Sequence, residues 1–160
     1  MVYFEKEGKE NLDKTLELVK RIAEELGIMK IVVASHSGFT GEKAFEILKD
    51  LGVTLTVVGS ARSRFSSEIQ KNLEENGHNI CFSREVPHDY PDLVRIAFRR
   101  FSQGVKVAVQ IVMIAAQKGF VSTEEDVVSI GKWDTALIVK PATSDKFVEL
   151  KVREIICMPR

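Results

Sequence analysis

The chain has almost nothing with which to build a covalently or metal-stapled scaffold. Its two cysteines, Cys81 and Cys157, stand far apart and outside any C-x-x-C pair, which excludes a disulfide framework and a zinc site of the usual spacing. Two such thiols are expected to be buried and reduced. An excess of either charge is also missing: 23 Lys plus Arg balance 23 Asp plus Glu, in short clusters only. That leaves no electrostatic footprint for nucleic acid. Long hydrophobic runs are absent as well. None approaches the ~20 residues a bilayer span needs, and no basic stretch followed by an apolar core opens the chain. Composition therefore predicts a cytoplasmic protein with no nucleic-acid or membrane partner. With only four prolines and no low-complexity tract, residues 1–160 read as one domain without a linker.

What is present is a regular alternation of helix and strand patterns, which predicts an α/β layer fold. Leu12, Leu16, Val19, Ala23 and Leu26 recur at helical spacing behind a capping Asn11, and Gly27 stops them. Lys30–Ala34 and Val53–Val58 are apolar runs of the kind covered on both faces of a parallel sheet, joined by a helix carrying Ala44, Phe45, Leu48 and Leu51. Phe65, Ile69 and Leu73 mark a further helix, and Asn79–Phe82 a third strand. Residues 86–120 are helical throughout. Leu93, Val94, Ala97, Phe98 and Phe101 are expected to face inward with Arg95, Arg99 and Arg100 outside. The helix from Val105 to Ala116 is apolar on more than one side. Asp126–Gly131 and Thr135–Val139 read as two more strands whose link is too short for a parallel crossover, so the sheet is mixed. Phe147–Met158 closes the chain as one long or two short β stretches. The apolar excess on Val105–Ala116 and a β edge at the C-terminus together predict a homo-oligomer.

The chemistry concentrates in Ser35-His36-Ser37-Gly38-Phe39-Thr40-Gly41, where a strand meets a helix start. Amides in a helix's first turn have no internal acceptor, and the helix dipole places positive charge there. Three hydroxyls add donors, and Gly38 and Gly41 leave room for a phosphate, so this loop is expected to cradle one. Gly38→Glu is then expected to fill the seat while leaving the fold intact. The alternative is that Thr40 caps the helix and the glycines serve only the turn. Parallel neighbours present their carboxyl ends together, so Gly59-Ser60 and Gly131-Lys132-Trp133-Asp134-Thr135 should meet the first loop across one crevice. Phe39 and Trp133 are placed to stack on a flat ring. His36 is suited to contact phosphate or to move a proton. Arg62, Arg64 and Lys132 could neutralise charge there or be solvated. No catalytic residue or metal ligand is assigned; His78 and His88 stand at no ligand spacing.

Two segments carry a resemblance to a known family. Ile31-Val32-Val33-Ala34-Ser35-His36-Ser37-Gly38-Phe39-Thr40 is similar to the strand and Ser-Gly-x-Ser/Thr loop with which sugar-bisphosphate-regulated pyruvate kinases grip an effector phosphate. Lys118-Gly119-Phe120 through Asp126-Val127-Val128-Ser129-Ile130-Gly131-Lys132-Trp133 is similar to the family's strand ending in Gly-Trp. The chain resembles the C-terminal α/β domain of pyruvate kinase over nearly its whole length. It looks closest to a stand-alone archaeal group that shares Asp134-Thr135-Ala136, Lys140-Pro141-Ala142 and Leu150-Lys151-Val152-Arg153-Glu154-Ile155-Ile156. The resemblance implies a three-layer α/β/α domain with five strands in the order 3-2-1-4-5, the last one antiparallel. It does not extend to phosphoryl transfer from phosphoenolpyruvate, since these residues have no room for the catalytic barrel. The loop after Trp133 is also shorter than the effector loop, which removes the seat of a second phosphate. Flavin mononucleotide (FMN) is the ligand the resemblance suggests. Three functions follow: a binding protein for a phosphorylated small molecule, an enzyme such as a flavin-dependent oxidoreductase, or a ligand-free interaction module.

Overall fold

A computed structural model describes residues 1–160. Its elements are β1 (Val2–Phe4), α1 (Leu12–Leu26), β2 (Lys30–Ala34), α2 (Phe39–Leu48), β3 (Thr54–Gly59), α3 (Ser67–Glu75), β4 (Asn79–Phe82), α4 (Asp92–Phe101), α5 (Gln103–Gln117), β5 (Val127–Lys132), β6 (Thr135–Lys140) and β7 (Lys151–Pro159). The strands form one sheet in the order β1-β7-β6-β5-β2-β3-β4. The sheet thus has seven strands, not five, and its antiparallel member is not the last. Only β6 runs against the others, pairing antiparallel with both β5 and β7. The expected order survives as the inner run β4-β3-β2-β5-β6; β7 and then β1 extend it. β1 pairs parallel with β7 through Val2 and Cys157, so the C-terminal edge expected to be free is covered.

Alternation along the strands sends side chains into two cores, one on each sheet face. Ile31, Val33, Leu55, Val57, Val128 and Ile130 meet Leu12, Leu16 and Val19 of α1, with Ala44 and Leu48 of α2. Val32, Val58, Leu137 and Val139 meet α5 on the other face. α1 spans the expected residues and stops as its sequence suggests, with Gly27 left-handed at φ 65°. Its N-terminus differs, because Asn11 turns its amide to the Lys6 carbonyl instead of capping the helix. Leu26 is exposed.

The two helices of the long helical segment have opposite fates. α5 buries ten residues, including Ile111, Val112, Met113 and Ile114. At about 1.5–3 kcal/mol for each fully buried large aliphatic, α5 is a main support of the fold. Its apolar excess is consumed inside the domain and does not explain self-association. α4 buries no residue completely. Leu93, Ala97 and Phe101, expected to face inward, are exposed, as is Ile96. Only Val94, Arg95 and Phe98 turn toward the domain. No helix is long and apolar enough to cross a membrane.

Candidate functional site

The register of the parallel strands brings the polar loops to one height. Ala34 of β2 lies opposite Val58 of β3, and Val33 lies beside Ile130 of β5. Ser35 N–H continues the ladder to the Val58 carbonyl at 3.0 Å. Past that point all three strands end, and a cavity of about 510 Å³ opens between their carboxyl ends and α5. Its size falls within the range of small-molecule and cofactor sites.

α2 starts at the rim of this cavity. Gly38 occupies its N-cap at φ 101°, a backbone conformation that side chains rarely adopt, and offers no side-chain acceptor. Thr40 sits inside the helix and does not cap it. The amides of Phe39 and Thr40 donate to no acceptor in the protein, and Gly41 N–H has only Ser35 Oγ at 3.3 Å. These donors stand free at the positive end of the helix.

The glycines have internal reasons as well. A methyl on Gly38 would lie 3.0 Å from the Ile69 side chain, and one on Gly41 2.9 Å from Val57. On Gly59 it would press on the Phe82 ring at 2.8 Å. Close packing therefore demands glycine there with or without a ligand. Gly38→Glu would strain the backbone and crowd α3, which contradicts the expectation that it spares the fold.

Ser35, His36, Thr40, Gly59, Ser60, Gly131, Lys132 and Trp133 border the cavity. Ser37, Gly38, Phe39, Gly41 and Thr135 do not. Ser37 uses its carbonyl to hold Ser66 N–H at 3.0 Å. Phe39 packs toward the opposite core, with the Lys9 ammonium 3.8 Å from its ring centre. The two aromatics expected to flank one ring are thus on different faces of the sheet, and only Trp133 is at the cavity. Thr135 is buried and donates to Asp134 Oδ1 at 3.2 Å. Arg62 is held by Glu85 through two hydrogen bonds, of 3.2 and 2.9 Å, and does not border the cavity. Lys132 Nζ lies 3.0 Å from Glu7.

One whole wall escaped the sequence reading. Gln103, Val107, Gln110, Ile111 and Ile114 of α5, together with Ser83, line the cavity. Their spacing along α5 is helical, and Gln103 and Gln110 on one face of a largely apolar helix were the available signal. Gln110 is fixed at both ends. It accepts from Lys106 Nζ at 2.6 Å and donates to His88 Nε2 at 2.8 Å. His88 Nδ1 in turn donates to the Val86 carbonyl at 2.7 Å, which sets the neutral tautomer with Nε2 as acceptor. Burial, and then the nearby Arg99 and Arg95, lower the pKa of Lys106.

Ser60 Oγ and His36 Nδ1 stand 2.9 Å apart. No third group orients the imidazole, so the pair supplies polar contacts at the rim and falls short of a nucleophile–base–orienter set. No cluster of three His, Cys, Asp or Glu side chains is placed to hold a metal. The arrangement as a whole offers free amide donors at the α2 end and is apolar along Val107, Ile111 and Ile114. No protein-family model matches the chain.

Proposed function

We propose that this protein binds a phosphorylated small molecule, with the phosphate at the N-terminus of α2 and the rest of the ligand along α5. FMN is the favoured candidate. The observation that carries the reading is the unpaired Thr40 amide at the edge of a cofactor-sized cavity, with the unpaired Phe39 amide next to it in the first turn of α2. An apolar wall of Val107, Ile111 and Ile114 suits a flat hydrophobic body, and Trp133 at the rim is available to stack on it. Gln110, with its amide orientation fixed by Lys106 and His88, adds one placed polar contact of the kind that selects among ligands. The resemblance of the Ser35–Thr40 loop to the phosphate-gripping loop of pyruvate kinase supports the same placement, and we extend the proposal to kinship with that domain.

The test is the absorbance of the purified protein, followed by thermal melts with added FMN, riboflavin and a sugar phosphate. The proposal expects flavin bands or a melting temperature raised by FMN more than by riboflavin. A colourless protein that none of the three stabilises would refute it.

A further inference from the structure

α4 presents a nearly continuous apolar surface to solvent. Leu93 is 75% exposed, Ile96 50% and Phe101 59%, and Ala97 lies among them on the same helical face. Beside it runs a groove of about 640 Å³ between Val94 and Phe98 of α4 and Phe147, Leu150 and Val152. Val148, 92% exposed, stands at its edge. Surfaces of this kind on a folded domain mark contacts with another molecule.

The charges on α4 identify the occupant. Asp89 and Asp92 lie at its start, and Arg99 and Arg100 in its last turn. Arg95 binds Asp92 at 2.7 Å and reaches Asp89 at 3.9 Å, but no carboxylate of the chain pairs with Arg99 or Arg100. The Asp89 side chain is 96% exposed. A helix acidic at one end and basic at the other, with an apolar middle, is complementary to itself run in reverse.

We propose that α4 is the contact of a two-fold homodimer, packed antiparallel against α4 of a second copy across Leu93, Ile96 and Ala97. This arrangement sets Arg100 beside the partner's Asp89 and Asp92, and each helix's negative C-terminus beside a positive N-terminus. A ten-residue helix is only about 15 Å long, so two of them bury less than the ~1,200 Å² of a stable interface. The groove and Val148 flank α4 and extend the contact. The interface does not depend on what the cavity binds, and it sits on a different surface from those first expected to drive association.

Sedimentation velocity with the full chain tests this. The expected mass is twice the 18.0 kDa of one chain, and Ile96→Asp, whose side chain is half-exposed in the isolated fold, should give single chains with an unchanged circular dichroism spectrum. Arg100→Asp should weaken the dimer at least tenfold, and adding Asp89→Arg should restore it. A wild-type protein of single-chain mass at its highest soluble concentration overturns the proposal. So does a dimer that survives Ile96→Asp, and so does a single-chain protein that co-sediments with anionic vesicles through α4.

Discussion

Gly131→Ala is the substitution to which this architecture should be most sensitive for its size. Gly131 lies near the end of β5, where the pairing with β6 shifts register between Ile130 and Lys132. The first turns of α5 pass directly over it. A methyl there would run into the Gly104 carbonyl oxygen, and would lie 2.6 Å from Ala108 N and 2.9 Å from Ala108 Cβ. Against ordinary contact distances of ~3.5 Å the helix must retreat by roughly 1 Å. The obstacle is helix backbone, which cannot turn aside as a side chain can. Retreat also pulls Ala108 from Ser129, whose buried hydroxyl donates to its carbonyl at 2.8 Å. Overpacking of about 2–3 kcal/mol plus about 1 kcal/mol for the hydrogen bond gives a loss of about 3–4 kcal/mol. For a chain of this length that is a fall in Tm of roughly 6–15 °C. Urea denaturation and thermal melting measure it, with Gly27→Ala as control: Gly27 has open space around it and differs only in its φ of 65°. A loss below about 1 kcal/mol for Gly131→Ala would refute the claim that α5 and β5 meet at backbone contact.

Three further outcomes are expected. Asp134→Ala removes a buried acceptor that holds Gly8 N–H at 3.0 Å and the Thr135 hydroxyl at 3.2 Å, so it should cost about 2–4 kcal/mol by urea denaturation, whereas Asp134→Asn, keeping one acceptor, should cost less. His78 is pushed below its usual pKa of 6.5 by burial, so the unfolded chain holds the proton more tightly and stability should fall as pH drops through 6.5 toward the folded value. In His78→Asn an amide oxygen can still accept Leu55 N–H, and the urea midpoint of this variant should lose that part of the pH dependence. His36→Glu puts negative charge on an exposed rim position and should weaken FMN binding roughly tenfold in a calorimetric titration while leaving the melting temperature unchanged.

The parts of the fold that were legible in the sequence are those encoded locally. β2 and β4 fall at the expected residues, and the short Trp133–Asp134 link enforced the antiparallel β6. What escaped depends on distant partners. β1 has only three residues, too few to show a period, and it exists because Val2, Tyr3 and Phe4 find Cys157, Met158 and Pro159 at the other end of the chain. The apolar stripe of α4 was visible, but a stripe does not say whether its cover comes from the same chain, and Leu93, Ile96 and Phe101 point outward. The candidate site divides in the same way. The Ser35–Gly41 loop announced itself by composition, whereas the α5 wall was invisible as a wall until the helix was laid across β2, β3 and β5. Gly38 and Gly41 stood out as room for a phosphate, yet Ile69 and Val57, which crowd them, come from other elements, as does Phe82, which crowds Gly59.

The amide nitrogens themselves provide the most direct measurement. In a ¹⁵N-labelled sample titrated with FMN and, separately, with riboflavin, the account predicts that the Phe39 and Thr40 amide resonances move on adding FMN and stay near their free positions with riboflavin. Amides that respond to neither compound, or equally to both, would contradict a phosphate seat at the head of α2.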